Sequence, residues 1–584
     1  MWNRADTTFP AVLDLEAFLG DPRAPDNVCG FARAAEHDEQ EAFPEAACAR
    51  LEEWGFHHYY VPVSCGGRLG SYEQVLFLVR AVARRDLTVA IGHGKTFLGS
   101  VCVWVGGSPA QRQRLADIVL RERGQVSLGL TEREHGSDLM ATSVTAEPVE
   151  GGYRLRGEKW LINNATRCRA MTVLAAVPRK RRSALSLFLV DKKSLAEGSF
   201  ECTAKNRTLG IRGADISGIR FDDAVVGEDA LIGRVGAGLR ILLRSLYLTR
   251  TCVSGLAMGA LDTGLRCVLD FALERQLYGE PVWQIPHVSR TLAECFADTL
   301  VADCVAATSA RCLNLLPGHA RMASALAKYY VPATCERVLD RLSSILGARF
   351  YLRAEHWHGV FQRMLRDSRL LGLFDGSSVV NLRALGMMVS SLAGLRAQQD
   401  QGGETATVGE LFALGQPVPQ LDPDALASSL ASPLPYLEEL DRMVDELGRL
   451  AETPDPITTR LALLGAQLPP ALHELEQRIE AEVSADGMAA RSFELIEYAR
   501  RYSELTAAVC AIRLWLQQRV GADEHFASGA WLVVAVQRLV HPASVETGPE
   551  YGRIVDQVGQ HLRTLFDQER LFSVVPLALP CRTV

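Results

Sequence analysis

Between Arg240 and Gln276 the chain reads RILLRSLYLTRTCVSGLAMGALDTGLRCVLDFALERQ, a long run with apolar residues at helical spacing. A helix of that length and apolarity has to be covered by other helices. TLAECFADTLVADCVAATSARCL and ALAKYYVPATCERVLDRLSSIL carry the same period onward toward Met387, so residues 234–395 are expected to pack as a helical bundle. Upstream, from Gln125, the pattern changes to short β-rich runs: VSLGLT, SVTAEPV, YRLRGEKWLI, AMTVLAAV, ALSLFLV and DISGIRFDDAVV. These predict a compact antiparallel β domain over 126–233. EAACARLEEWGF, SYEQVLFLVRAVARRD and SPAQRQRLADIVLRE give residues 1–125 helical spacing, broken by the turn VPVSCGGRLGS. Beyond the bundle, AQQDQGGETATVG and the prolines at 417, 419, 423, 433 and 435 predict an irregular linker over 396–435. AARSFELIEYARRYSELTAAVCAIRLWLQQRV then opens the clearest part of a second helical unit over 436–584. The fold class expected is mainly α with a central β domain.

With 48% hydrophobic and 22% charged residues over 584 positions, the composition is that of an ordinary globular protein with several cores. A formal charge of −7 offers no basic surface for phosphate backbones, which speaks against nucleic acid. The opening MWNRADTTFP lacks the basic start and apolar core of a leader, and WLVVAVQRLV is too short and too polar to cross a bilayer. A cytoplasmic protein with no transmembrane segment is expected. The fourteen cysteines are scattered within helical apolar patterns, as buried reduced thiols are. His356 and His358 in EHWHGV are two apart, which suits neither a helix-face metal pair nor a zinc spacing, so no metal site is expected. In GRVGAGLR the glycines at 233, 236 and 238 have the wrong spacing for a dinucleotide loop and no βαβ unit around them.

One acidic residue stands out. LGLFDGSSVV, Leu371 to Val380, sets Asp375 between apolar runs and follows it with Gly376 and Ser377. Asp-Gly is a common turn pair, in which Asp bonds nearby backbone and Gly tolerates positive φ. The same carboxylate, placed in a water-poor pocket, is a candidate general base. These residues alone leave both readings open.

A set of motifs in fixed order bears on the choice: LTEREHGSD, GEKWLINN, LGIRGADISGIRFDD, LTR at 248–250, ERQLYG, LG at 346–347, RDSR and FDGSS. In this order the chain resembles the flavin-dependent acyl-CoA dehydrogenase family from about residue 10 to 390. The C-terminal helices resemble, in position and content, the extensions of very-long-chain acyl-CoA dehydrogenases and acyl-CoA oxidases. The resemblance implies N-terminal helices, a middle β-barrel and a C-terminal helical bundle, here followed by an extra helical domain. It also implies FAD and oxidation of an acyl thioester to its trans-2-enoyl form. Such chemistry needs a base for a weakly acidic α proton and fixed donors for the developing enolate oxygen.

What the resemblance implies for single residues is specific. Asp375 stands where the family has a Glu in an EGT triplet, and Thr249, ahead of Arg250, holds the alternative base position, so Asp375 is the carboxylate implied as base. Leu128, Leu130, Thr131 and Ser137 are implied along the flavin and its pyrophosphate, with Ser137 also facing substrate together with Thr249, Arg250 and Gly376. Arg275 and Tyr278 are implied on the FAD of a neighbouring subunit, His287 and Gly347 on FAD contacts of the same kind, and Ser377, beside the base, on the FAD as well. Several positions depart from the usual pattern: Leu161 replaces an aromatic, Asn163 replaces the Thr or Ser beside flavin N5, and SILGA at 344–348 replaces a Gln-Ile-Leu-Gly-Gly run. The expected partners are an acyl-CoA or acyl carrier protein substrate, an electron-transfer flavoprotein or other acceptor, and a second copy in a homodimer. The departures suggest a specialised biosynthetic role, with an oxidase or a redirected homologue as the alternatives.

Overall fold

The computed structural model describes residues 8–179, 183–396, 405–426, 433–486 and 492–580. Helices from Pro10–Leu19 to Pro109–Leu120 come first, then a sheet, then long helices and a further helical layer. The N-terminal helices are well delimited locally: Ser71 and Asp86 cap their helices, and Ser108 with Gln111 forms a capping box behind Pro109.

The sheet has eight strands. Phe200–Thr203, Ile216–Gly227, Gly152–Asn163, Thr145–Val149, Ala170–Val177, Ala184–Asp191 and Leu231–Ile232 run in that spatial order, and Val126–Gly129 pairs in parallel with Ala170–Val177. Most pairs are antiparallel, as expected. The domain has its own apolar core, including Val144, Leu155, Met171, Phe188, Ile219 and Phe221.

The run that opened the sequence analysis is one helix, Gly238–Glu274, and among the described residues it is apolar and long enough by composition to cross a membrane. Its apolar window is wholly buried, because Tyr72–Ala83, Pro286–Leu315, Ala320–Leu346 and Glu355–Ser368 pack around it. Gly255 and Gly259 make the closest approach possible. A Cβ at Gly255 would lie 2.6 Å from the Leu76 carbonyl oxygen and one at Gly259 2.6 Å from the Ala83 Cβ. Ser378–Arg396 completes the bundle and packs on Leu468–Asp486 and Phe493–Gln518 of the C-terminal layer.

Among the described residues, 417–422 carry no helix or strand, and the helix Thr405–Leu411 lies before them. Buried Arg311 holds that helix in place. It donates to the carbonyls of Glu410 and Gln416 while pairing with Glu73 at 2.7 Å, so the connection is tied to the core by its backbone.

Candidate active site

Asp375 and Gly376 occupy consecutive left-handed conformations, with φ of +55° and +94°. Asp tolerates that region better than most residues and Gly pays no penalty there. A Cβ at Gly376 would also lie 2.9 Å from Arg250 Nη2, so a side chain there would push the guanidinium aside. Arg250 Nε donates to the Asp375 carbonyl at 2.9 Å, and Asn381 Nδ2 donates to the carbonyls of Gly376 and Ser377, both at 2.9 Å. Lys328 Nζ donates to the Leu371 carbonyl and lies 5.2 Å from the Phe374 ring centroid. The turn is therefore held by its backbone, and no described hydrogen bond or ion pair takes the Asp375 carboxylate. Thr249 is buried, with its hydroxyl donating to the Leu246 carbonyl at 3.3 Å.

Electrostatics concentrate on this carboxylate. Burial pushes the Lys328 ammonium down to about 8, with Asp375 opposing the shift and Arg250 adding to it. Burial likewise lowers Arg250 and Lys95, again opposed by Asp375. Sequence reasoning missed Lys95, Lys328 and Asn381. A lysine inside an apolar helical run was the available signal for the first two.

A second group of the expected site residues is built on the strand Gly152–Asn163. Trp160 pairs with Gly218 and Ile162 with Ser217, so Leu161 is an extra residue in a bulge, with φ of +55° and its side chain exposed. Trp160 N–H donates to the Thr131 carbonyl at 2.9 Å and Lys159 Nζ to the Leu130 carbonyl at 3.1 Å, which brings Leu128, Leu130 and Thr131 beside Leu161 and Asn163. Glu132 locks the loop that follows, accepting from Lys159, Ser143 and the Val144 amide. Burial alone would raise Glu132; those donors hold it down to about 2. Ser137 lies further along the same loop, exposed.

Asn163 ties this strand to the helix Leu87–Gly106. Its Nδ2 donates to the Ile91 carbonyl at 3.4 Å, while Oδ1 is buried with no partner. An amide rotates to present either a donor or an acceptor. The orphaned amide end, the exposed side chain at the bulge and the half-buried Thr131 fit a flat ring system with polar edges, as in a flavin.

Arg275, Tyr278, His287 and Gly347 are elsewhere. They are exposed at the far ends of the bundle helices, Tyr278 almost completely. Arg275 follows Thr249 along one helix by roughly 40 Å at 1.5 Å per residue. Arg275 is thereby far from Arg250, which holds the Asp375 turn in the same chain. His356 Nε2 donates to the Cys267 carbonyl at 3.0 Å and sits with Asp270 and Glu274; Trp357 Nε1 donates to Asp270 at 3.0 Å. Those contacts already knit the group together.

Helices, a β domain and a bundle in that order form the architecture of flavin-dependent dehydrogenases acting on acyl thioesters. Family models for the N-terminal, middle and C-terminal domains of acyl-CoA dehydrogenase match residues 30–122, 127–224 and 236–389, and the chain belongs to that family. It is 26% identical over 357 residues to the probable acyl-CoA dehydrogenase FadE25 of Mycobacterium tuberculosis, covering 60% of this chain and 90% of that protein. A solved acyl-CoA dehydrogenase from Bacillus anthracis, complexed with FAD, is 18% identical and matches with a TM-score of 0.72 over 96% of this chain and 95% of its own, so the C-terminal helices belong to the shared fold. The prolyl acyl carrier protein oxidase AnaB matches with a TM-score of 0.58 at 19% identity, over 64% of this chain and 96% of its own. The protein is a flavin oxidoreductase with FAD as cofactor.

Proposed function

We propose that the protein oxidises an acyl thioester to its trans-2-enoyl form, with Asp375 taking the α proton. The observation that carries this is the Asp375 carboxylate itself: presented by a left-handed turn whose backbone is pinned by Arg250 and Asn381, and taken by no described partner. Bound FAD supplies hydride acceptance from the β carbon. Leu128, Leu130, Thr131, Ser137, Leu161, Asn163 and Ser377 hold it and the thioester in place, while Thr249, Arg250 and Gly376 line the substrate side. Backbone N–H groups and fixed dipoles beside the thioester oxygen are what such a step needs.

Arg275, Tyr278, His287 and Gly347 reach an FAD only in a second copy of the chain, which supports a homodimer. The AnaB likeness, to a protein named for an acyl carrier protein substrate and for oxidase activity, supports a carrier-bound acyl group and a specialised biosynthetic role as the finer reading. An acyl-CoA ester and an electron-transfer flavoprotein are the other substrate and acceptor.

The deciding experiment is the visible spectrum of the purified protein under anaerobic conditions. Addition of an acyl thioester bleaches the flavin band in the wild type. Asp375→Asn stays yellow and loses bleaching by about a hundredfold or more, in the range expected for a positioned base, while Asp375→Glu keeps it. An Asn variant that bleaches at the wild-type rate puts the base elsewhere. Supplying one acyl group on CoA and on a carrier protein settles the carrier, and faster CoA turnover removes it. Peroxide at one equivalent per enoyl product in air assigns the acceptor to oxygen.

A further inference from the structure

Buried Tyr60 stands at the head of a hydrogen-bonded chain that the proposed reaction does not use. Its hydroxyl lies 2.6 Å from His93 Nδ1, and His93 Nε2 lies 2.9 Å from Glu52 Oε1. His57 Nδ1 sits 2.8 Å from the other Glu52 oxygen. Burial alone would raise Glu52; the two histidines hold it down to about 2, so it is a carboxylate and only accepts. His93 Nε2 therefore carries a proton and donates it to Glu52, which leaves Nδ1 to accept from Tyr60. Burial, with Glu52, Cys48 and Cys252 adding to it, raises the phenol well above its ordinary value and keeps it protonated. With its own proton committed to His93, the Tyr60 oxygen is left as an acceptor.

That oxygen borders an open space. Gly94, inside the helix Leu87–Gly106, is half-buried, and apart from its own helix backbone a Cβ there would meet one described atom within 4 Å, Tyr60 Oη at 4.0 Å. Gly99 in the same helix is different, since a Cβ would lie 2.6 Å from the Val126 carbonyl oxygen. A glycine in a helix interior costs stability relative to alanine, and no neighbour requires the one at 94. Two sets of contacts place the space. The carbonyls of Ile91 and Gly92 accept from Asn163 at 3.4 Å and Asn164 at 2.7 Å, at the end of the strand that carries Leu161. The helix Gly238–Glu274 runs alongside in the opposite direction: Ser245 Oγ reaches the Val101 carbonyl at 3.5 Å, and a Cβ at Gly106 would lie 2.6 Å from Ile241 Cδ1. Continued two turns from Val101, that register sets Gly94 level with Cys252, close to the Arg250 that holds the Asp375 turn. The space at Gly94 is thus within an acyl chain's length of both.

We infer that Tyr60 is a specificity residue whose hydroxyl oxygen accepts a hydrogen bond from an O–H or N–H borne by the acyl chain in the space at Gly94. The substrate class is then hydroxyacyl or aminoacyl thioesters and not plain alkanoyl ones. This rests on the dehydrogenase reading of Asp375. An unsubstituted chain laid against the phenol oxygen takes an acceptor out of water and returns no donor to it. His93 and Glu52 are positioning residues, which fix the direction of the phenol proton and so keep the oxygen an acceptor.

The test uses the FAD holoenzyme and CoA esters over a series of chain lengths, each made with a terminal methyl, a terminal hydroxyl and a terminal amine. Expected is a length at which hydroxyl or amine exceeds methyl by at least about tenfold in kcat/KM, and the two polar arms show which donor is read. Tyr60→Phe brings that ratio to about one. Gly94→Ala leaves the Tyr60, His93 and Glu52 contacts alone and puts a methyl group into the space. It should melt at or above the wild-type temperature, as alanine for glycine in a helix does, and it too should lose the preference. A wild type without a polar preference at any length overturns the inference, as does a preference that survives Tyr60→Phe or Gly94→Ala. Non-oxidisable analogues with sulfur in place of the β methylene separate this from failure of the dehydrogenase reading. If no ester bleaches the flavin, yet a polar analogue stabilises the wild type against heat more than its methyl match and does not do so in Tyr60→Phe, the hydrogen-bonding site stands and the reaction falls. Equal stabilisation by polar and methyl analogues overturns the site.

Discussion

The charge on Lys328 makes the site's pH dependence calculable. Burial holds its pKa at about 8 against 10.5 for an ordinary lysine. The folded chain therefore releases a proton that the unfolded chain keeps between those values, so this group's contribution to stability is present above 10.5 and is lost as pH falls through about 8. For catalysis the sign is the same. Above pH 8 the loss of a neighbouring cation leaves Asp375 a stronger base by on the order of 1 kcal/mol, about fivefold in rate. Stopped-flow bleaching should rise by that factor through pH 8 in the wild type, and Lys328→Met should remove the step. A profile unchanged in the variant assigns the titration to another group. Asp375 was legible in the sequence because its Gly and Ser neighbours mark a position within an ordered set of motifs. Lys95 and Lys328 were not, because what makes them part of the site is proximity to a turn distant in sequence, which only the packing of three helices creates.

At the level of elements, two short motifs act as clamps. In RDSR, Asp367 accepts the Ile211 amide at 2.9 Å and Arg366 at 2.7 Å, and Arg366 in turn grips Asp38 at 2.6 and 2.9 Å. The 207–214 loop of the β domain, the helix Phe31–Gln40 and the helix Glu355–Ser368 are thereby fixed to one another. Asp367→Ala leaves the Ile211 amide without its acceptor and Arg366 with one carboxylate fewer, a loss of about 2–4 kcal/mol. Limited proteolysis should then cut within 207–214 under conditions that leave the wild type whole; resistance equal to wild type would show the clamp to be dispensable. The helix–sheet–helix order could be read from period alone, since 3.6- and 2-residue spacings do not overlap over long runs. The bulge at Leu161 could not. Nothing in GEKWLINN distinguishes a continuous strand from one with an extra residue, because the bulge is set by pairing with Ser217 and Gly218. For the same reason the helix Thr405–Leu411 escaped a composition-based reading, as the carbonyls that Arg311 gathers lie outside any local pattern.

At the scale of the whole molecule, the C-terminal layer is not an appendage on a finished enzyme. Phe572 N–H donates to Asp262 at 2.9 Å and Val574 N–H to Asp303 at 2.9 Å, both carboxylates wholly inside the bundle. Arg80 pairs with Asp303 at 2.8 Å and donates to the Phe572 carbonyl at 2.8 Å, while the Phe572 ring packs edge-on against Phe296 and under Arg266. The core of the bundle thus contains buried charges whose remaining hydrogen bonds come from residues near 572. Buried ions left partly paired cost about 3–5 kcal/mol each, comparable with the whole stability of a domain. A fragment ending at residue 396 retains every segment that the family models match, yet it strips Asp262, Asp303 and Arg80 of these partners and bares the apolar faces that Phe493–Gln518 and Pro549–Asp567 cover. Such a fragment should aggregate or melt without a cooperative transition, and Phe572→Ala in the full chain should lower stability by about 3–5 kcal/mol through the lost ring contacts. A soluble fragment with a sharp melting transition near that of the full chain would show that the bundle satisfies its charges without the tail.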